Sequence, residues 1–244
     1  MTTLPTLSTH GSALFLDFDG TLAELASRPD AVRIPPDLPS LLDALHERLG
    51  GALALVTGRA RIDLQRWLPV QRWPGAFEHG ALRVGADGVD RLAVTPELGP
   101  VVMAAQAFAA RHPALLLEVK QTALALHYRA APELGPACVE AMFQAIANHP
   151  DLRLLQGKAV VEVKAAHTSK GAAIAGFLRE PPFAGRRPVF AGDDVTDEDG
   201  FAVVQSHGGD GIKVGQGPSA ARLRCDSPQA LRDWLRQQTN EASP

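Results

Sequence analysis

Residues 13–22 read ALFLDFDGTL, and this stretch decides the fold. The apolar run 13–16 ends in two carboxylates, Asp17 and Asp19, with Gly20 and Thr21 after them. A short apolar run closed by Asp and Gly reads as a buried strand entering a turn. The carboxylates then stand at the carboxyl end of a strand, where open α/β sheets bind their ligands. Residues i and i+2 of an extended segment point the same way, so Asp17 and Asp19 can face one site. Two like charges that close need a cation or a shared proton. The segment therefore points to metal-assisted chemistry on an anion.

Outward from this strand, the proline-rich stretch 31–39 reads as a loop. Leucines at 38, 41, 42, 45 and 49 predict a helix over 38–49, stopped by Gly50 and Gly51. Residues 52–56 predict a second buried strand ending at Thr57, Gly58 and Arg59, and 62–68 a helix halted before Pro69. Residues 76–84, which contain Glu78, His79 and Gly80, read as strand and turn, and Asp87-Gly88 as a hairpin turn between 82–84 and 91–94. From 96 the pattern changes. Helices are expected over 96–111 and 132–148, each followed by two strands, 114–119 with 123–129 and 152–156 with 159–163. From Ser169 the βα pattern returns: helix 170–178, strand 188–191 ending at Asp193 and Asp194, helix 199–205, a last strand 211–214 and a closing helix 228–237. The tail after Thr239 is polar and reads as frayed. This organisation predicts a discontinuous core, 1–95 with 167–244, interrupted by an inserted domain over 96–166.

Composition bounds the chemistry. With 244 residues, 45% hydrophobic and 21% charged, the chain has the makeup of an ordinary globular protein. A net charge of −3 gives no basic excess for nucleic acid or an anionic membrane. Cys138 and Cys225 have no CxxC spacing and read as buried thiols in a reducing cytoplasm. Residues 1–12 lack a signal-peptide pattern, and no apolar run approaches the ~20 residues of a membrane span. His112, His127, His149 and His207 lack metal-binding spacing, which argues against zinc. The acidic run 193–199 lacks EF-hand spacing, so Mg²⁺ is preferred to calcium.

Four places on one sheet edge belong together: Asp17, Thr57, Lys170, and Asp193 and Asp194 with Asp197 following. Phosphoryl transfer needs a nucleophile, neutralisation of the equatorial oxygens and a proton donor to the leaving oxygen. A carboxylate can be that nucleophile. Asp17, Asp193 and a backbone carbonyl suit Mg²⁺, Lys170 adds a positive charge, and Thr57 adds a hydroxyl donor.

DFDGTL, VTGR, a later lysine and GDDVTDEDGF, in that order, resemble the four motifs of the haloacid dehalogenase superfamily. The resemblance implies a Rossmann-like parallel sheet. It makes Asp17 the nucleophile and Asp19 the acid to the leaving alcohol and then the base for water. Thr57 and Lys170 hold the phosphate. Asp17, the Asp19 carbonyl and Asp193 ligate Mg²⁺, with Asp194 and Asp197 supporting its waters. ALHYR, GKAVVEVK, SKG, VFAGDDVTDEDGF and GIKVG together resemble the trehalose-6-phosphate phosphatases, whose inserted αββαββ cap is of type IIB. That resemblance implies Glu118, Lys120, Arg129, Lys158 and Glu162 as cap contacts to the sugar and its phosphate, and coupling to a trehalose-6-phosphate synthase. Two positions depart from the pattern: Leu82 follows His79-Gly80-Ala81 where family members often carry an acid, and Ser169 stands where Asn or Asp is often seen.

Taken alone, Glu118, Lys120, Lys158 and Glu162 read as solvated cross-strand pairs. Arg59 either touches substrate or caps the next helix, and His79 is at least as suited to a loop hydrogen bond as to a ligand. Two rivals stand beside the expectation of a Mg²⁺-dependent phosphatase acting on trehalose 6-phosphate. One is a phosphatase of sucrose or mannosyl phosphate, distinguished only in the cap. The other is a non-catalytic sensor, which would have lost Asp17, Asp19, Lys170 or Asp193; all four are present.

Overall fold

The computed structural model describes residues 3–26, 31–93, 96–120, 122–157 and 159–240. The chain divides into two compact units, Met1–Leu92 with Ser169–Pro244, and Ala93–Thr168.

The first unit opens with β1 (Ser12–Leu16), α1 (Leu38–Arg48), β2 (Leu53–Val56), α2 (Arg61–Leu64), β3 (Gly75–Phe77), β4 (Leu82–Val84) and β5 (Asp90–Leu92). β1 and β2 are buried throughout, and a strand covered on both faces has no solvent side to alternate with. Leu38, Leu41, Leu42 and Leu45 of α1 all turn inward. Gly50 and Gly51 then take positive φ and end the helix. The helix expected over 62–68 is shorter, covering Arg61–Leu64. Pro69 explains this, because its ring would meet the carbonyl of Gln65 in a continued helix.

The second unit runs α3 (Gly99–Ala110), β6 (Leu116–Val119), β7 (Ala123–His127), α4 (Gly135–Ile146), β8 (Leu152–Gly157) and β9 (Val160–Ala165). Its four strands form an antiparallel sheet in the order β6-β7-β9-β8. Leu124, Leu126, Val161 and Val163 share a core with Val101 and Ala105 of α3 and Cys138 and Met142 of α4. Alternation puts Glu118, Ala125 and Glu162, which are in register across β6, β7 and β9, on the opposite face.

The first unit resumes with α5 (Lys170–Phe177), β10 (Arg187–Gly192), α6 (Glu198–Ser206), β11 (Asp210–Val214), β12 (Leu223–Cys225) and α7 (Pro228–Asn240). The last strand is therefore β12 rather than 211–214. Three residues with an arginine in the middle are too short to show a period. The eight strands of this unit run in the order β12-β11-β10-β1-β2-β3-β4-β5, parallel from β12 to β3 and antiparallel at β4 and β5. Phe15 of β1 and Phe190 of β10 are in register. Phe15 lies 6.0 Å from Phe177 of α5, and Phe190 lies 5.3 Å from Phe201 of α6, which seats these two helices on one face of the sheet. No helix among the described residues is long and apolar enough to cross a membrane.

This strand order places the site. From β1 the chain advances through β2 to β3 on one side, and from β10 through β11 to β12 on the other. The direction of winding switches between β1 and β10, and the loops leaving such a pair open a crevice at the carboxyl edge. Asp17 leaves β1 and Asp193 leaves β10.

Candidate active site

The Asp17 N–H donates to the Ala191 carbonyl at 3.0 Å, extending the β1–β10 pairing by one residue into the crevice. Carboxylate oxygens of Asp17, Asp193 and Asp197 lie within 4.8 Å of one another, and all three residues are buried. Lys170 joins two of them: its Nζ is 2.8 Å from Asp17 Oδ1 and 2.7 Å from Asp197 Oδ1. Lys170 is fixed because it opens α5, where the Ser169 hydroxyl caps the helix by accepting from Ala172 N at 3.0 Å. Asp197 Oδ2 accepts from Asp194 N at 2.9 Å, so both oxygens of this fully buried carboxylate are engaged. Gly20 has φ +73°, and a Cβ there would come within 2.2 Å of Asp193 Oδ2. Only glycine lets the Asp193 carboxylate lie against the turn that carries Asp19.

Burial pushes the Asp17 carboxyl well above its ordinary range; Lys170 opposes the rise, while Asp197 and Asp193 add to it. Burial works against the Lys170 ammonium too, yet Asp17 and Asp197 hold its pKa above the ordinary lysine value. Both directions describe a crowd of acids gathered around one ammonium. A buried set of oxygen donors with surplus negative charge fits a hard divalent cation.

Asp19 stands apart from this crowd. Arg59 grips its carboxylate with two bonds, Nε to Oδ2 at 2.6 Å and Nη2 to Oδ1 at 2.7 Å. The guanidinium lies 4.9 Å from the Trp67 ring and 5.8 Å from that of Phe18. The N-cap position of α2 is held by Ala60 rather than Arg59, with no side-chain capping bond. Thr57 follows β2, and its Oγ1 accepts from Arg59 N at 3.1 Å. The Asp194 carboxylate accepts from Val195 N at 2.8 Å in a capping box with Asp197, outside the three-carboxylate group.

The remaining candidates lie in the second unit. Lys120 Nζ meets Glu162 Oε2 at 2.7 Å, with both side chains only 8% exposed. Glu118 Oε2 meets His127 Nε2 at 2.9 Å. The bond from His127 leads in holding the Glu118 carboxyl below its ordinary range; burial opposes it, and the charge on Lys120 adds to the lowering. Arg129 is exposed, and Lys158 lies outside the described residues.

A family model described as trehalose-phosphatase matches residues 15–229. The chain belongs to the trehalose-phosphatase family. It is 40% identical over 237 residues to the trehalose-6-phosphate phosphatase of Escherichia coli (strain K12), covering 96% of this chain and 89% of that protein. Its fold is that of the C. albicans trehalose-6-phosphate phosphatase C-terminal domain, with a TM-score of 0.83 at 22% identity over 96% of this chain and 93% of that one. A phosphatase of the haloalkanoate superfamily from Bacteroides thetaiotaomicron shares it with a TM-score of 0.63 at 15% identity, covering 97% and 98% of the two chains.

Several residues around these candidates have partners that the sequence reading did not give them. The Thr21 hydroxyl donates to Asp17 Oδ2 at 3.4 Å. Glu78 and His79 both take positive φ, 48° and 55°. Their N–H groups donate to Arg59 O at 2.9 Å and Thr57 O at 3.0 Å, so a strained turn braces the Thr57 loop. The His79 ring packs on Gly58, where a Cβ would come within 2.5 Å of it. Buried Lys213 donates to the Asp193 carbonyl. Thr21 and Lys213 sit inside quoted motifs, but the motifs say nothing about their partners.

Proposed function

We propose that this chain hydrolyses trehalose 6-phosphate to trehalose and phosphate, with Mg²⁺, through an aspartyl-phosphate on Asp17. One observation carries the chemistry: Asp17 sits at the switch point, shares Lys170 with Asp197 and converges with Asp193. Asp17 and Asp193, with the Asp19 carbonyl, would hold the cation; Asp197, with both oxygens engaged, orients Lys170 instead. The bound cation would neutralise the carboxylates and the incoming phosphate.

In the first step an Asp17 oxygen attacks phosphorus, the bond from phosphorus to the sugar oxygen breaks, and Asp19 gives that oxygen a proton. In the second, Asp19 takes a proton from water, which attacks phosphorus and frees Asp17. Arg59 sets the direction of the Asp19 carboxylate between these steps. Lys170 and Thr57 hold phosphate oxygens, and Asp197 keeps the Lys170 ammonium in place. The first unit, as the core, would carry this chemistry, and the second, as the cap, would choose the ester. Glu118, Lys120, Arg129, Lys158 and Glu162 supply carboxylates for sugar hydroxyls and cations for phosphate. A trehalose-6-phosphate synthase is the activity that would supply the ester, and a cytoplasmic setting agrees with two unpaired thiols.

The test is phosphate release from trehalose, sucrose, glucose and mannosyl phosphates, with Mg²⁺ and with chelator, for the wild type and Asp17→Asn. Preference for trehalose 6-phosphate, lost with chelator and in the variant, is expected. A different preferred ester would overturn the substrate assignment, and full activity in Asp17→Asn would overturn the mechanism.

A further inference from the structure

The peptide unit joining Asp193 to Asp194 is held at both ends. Its oxygen, the Asp193 carbonyl, accepts from the ammonium of Lys213. Its N–H, on Asp194, donates to Asp197 Oδ2 at 2.9 Å. Asp197 also bonds Lys170, which bonds Asp17. One chain of contacts thus runs from Lys213 through this peptide to the proposed nucleophile.

Lys213 is an unusual choice for the work. It lies on β11 in register with Gly192, the residue before Asp193, and is 5% exposed. Burying an ammonium is costly, and a carboxylate would be its natural partner. Here the ammonium is placed on a backbone carbonyl, that of Asp193. What the contact secures is the orientation of a backbone unit, and the Asp193 side chain leaves from that unit. On its other side the Asp193 carboxylate abuts Gly20, with no room for a Cβ between them.

We infer that Lys213 is a positioning residue that stiffens Asp193 so that the site favours a small divalent cation over a larger one. The inference rests on the reading that Asp17 and Asp193 hold a divalent cation. Mg²⁺ demands near-octahedral oxygens at about 2.1 Å, whereas Ca²⁺ accepts more and looser ligands at about 2.3–2.6 Å. A carboxylate whose backbone can tilt would accommodate the larger ion more readily. The Lys213 charge itself repels both ions, and equally, since both are divalent. The ratio of the two affinities therefore separates positioning from charge.

The experiment is calorimetric titration of the metal-free full chain with Mg²⁺ and, separately, Ca²⁺, for the wild type, K213M and K213Q. Thermal unfolding of each metal-free variant confirms that it is folded, and K213Q carries the test if K213M is not. In K213M the preference for Mg²⁺ over Ca²⁺ is expected to fall about tenfold, the scale on which partners of metal ligands act. K213Q, which keeps a donor without the charge, is expected to fall less. If the two affinities move by the same factor in either folded variant, Lys213 acts through charge alone and the inference is overturned. If neither ion binds the wild type, the metal reading fails and takes the inference with it.

Discussion

Both units of the molecule bury a lysine against carboxylates, and their surroundings differ. In the first, Lys170 is shared by Asp17 and Asp197, with Asp193 close by, so acids outnumber the ammonium they surround. In the second, Lys120 meets Glu162, and the Glu118 carboxylate accepts a hydrogen bond from His127. A surplus of buried carboxylate is unstable on its own and calls for a cation, while carboxylates bonded each to a neighbouring side chain can exchange that partner for a polar ligand. The pKa directions agree: burial and neighbouring acids push Asp17 up, whereas the bond from His127 leads in drawing Glu118 down. One arrangement is suited to chemistry and the other to recognition.

The largest effect that could break this contrast is at Asp17, the proposed nucleophile. Asp17→Asn is expected to lower phosphate release from every ester by at least about a thousandfold, as loss of a nucleophile does elsewhere. Lys170→Met, which leaves Asp17 and Asp197 without their shared ammonium, is expected to lower kcat about 10²–10³-fold, the cost of removing one charge-stabilising donor. Steady-state assays check both.

Stability should move in the other direction. Asp17 holds its proton to higher pH in the folded metal-free protein than its ordinary 3.8, so between those values the folded state binds more protons than the unfolded chain. Its contribution is therefore lost as pH rises through the elevated folded value. Melting in chelator at pH 7 should find Asp17→Asn more stable than wild type by roughly 2–4 °C, the shift that about 1 kcal/mol produces in a chain of this size. Added Mg²⁺ should reverse the order by stabilising only the wild type. Glu118 has the opposite sign and the smallest effect. Its contribution is complete above the ordinary 4.5 and is lost as pH falls through the lowered folded value. Because Glu118 is partly exposed, Glu118→Gln should cost below about 1 kcal/mol at pH 7 and nothing in acid.

The core was readable because its signals are local. The runs at 13–16 and 52–56 are apolar since buried parallel strands have no wet face, and each is followed at once by a candidate residue, Asp17 or Thr57. The pairing of elements was less legible. β12 is too short to show a period, and α2 is cut short by a proline effect four residues away. Partners were least legible of all. Nothing in the sequence ties Arg59 to Asp19, 40 residues apart, or Lys213 to the Asp193 carbonyl, 20 apart, because the sheet order brings these residues together. In the second unit Glu118 and Glu162 share a face through their register with Ala125, a relation that only the strand pairing reveals.

The most direct test of the contrast compares two lysine variants on two substrates. For Lys170→Met and Lys120→Met, kcat/KM would be measured with trehalose 6-phosphate and with p-nitrophenyl phosphate, an ester that has no sugar to recognise. Lys170→Met is expected to lower both values together, whereas Lys120→Met lowers the first about 10–100-fold and leaves the second within about threefold, as lost ground-state recognition would. An equal loss on both esters in Lys120→Met would contradict the division of chemistry and choice between the two units.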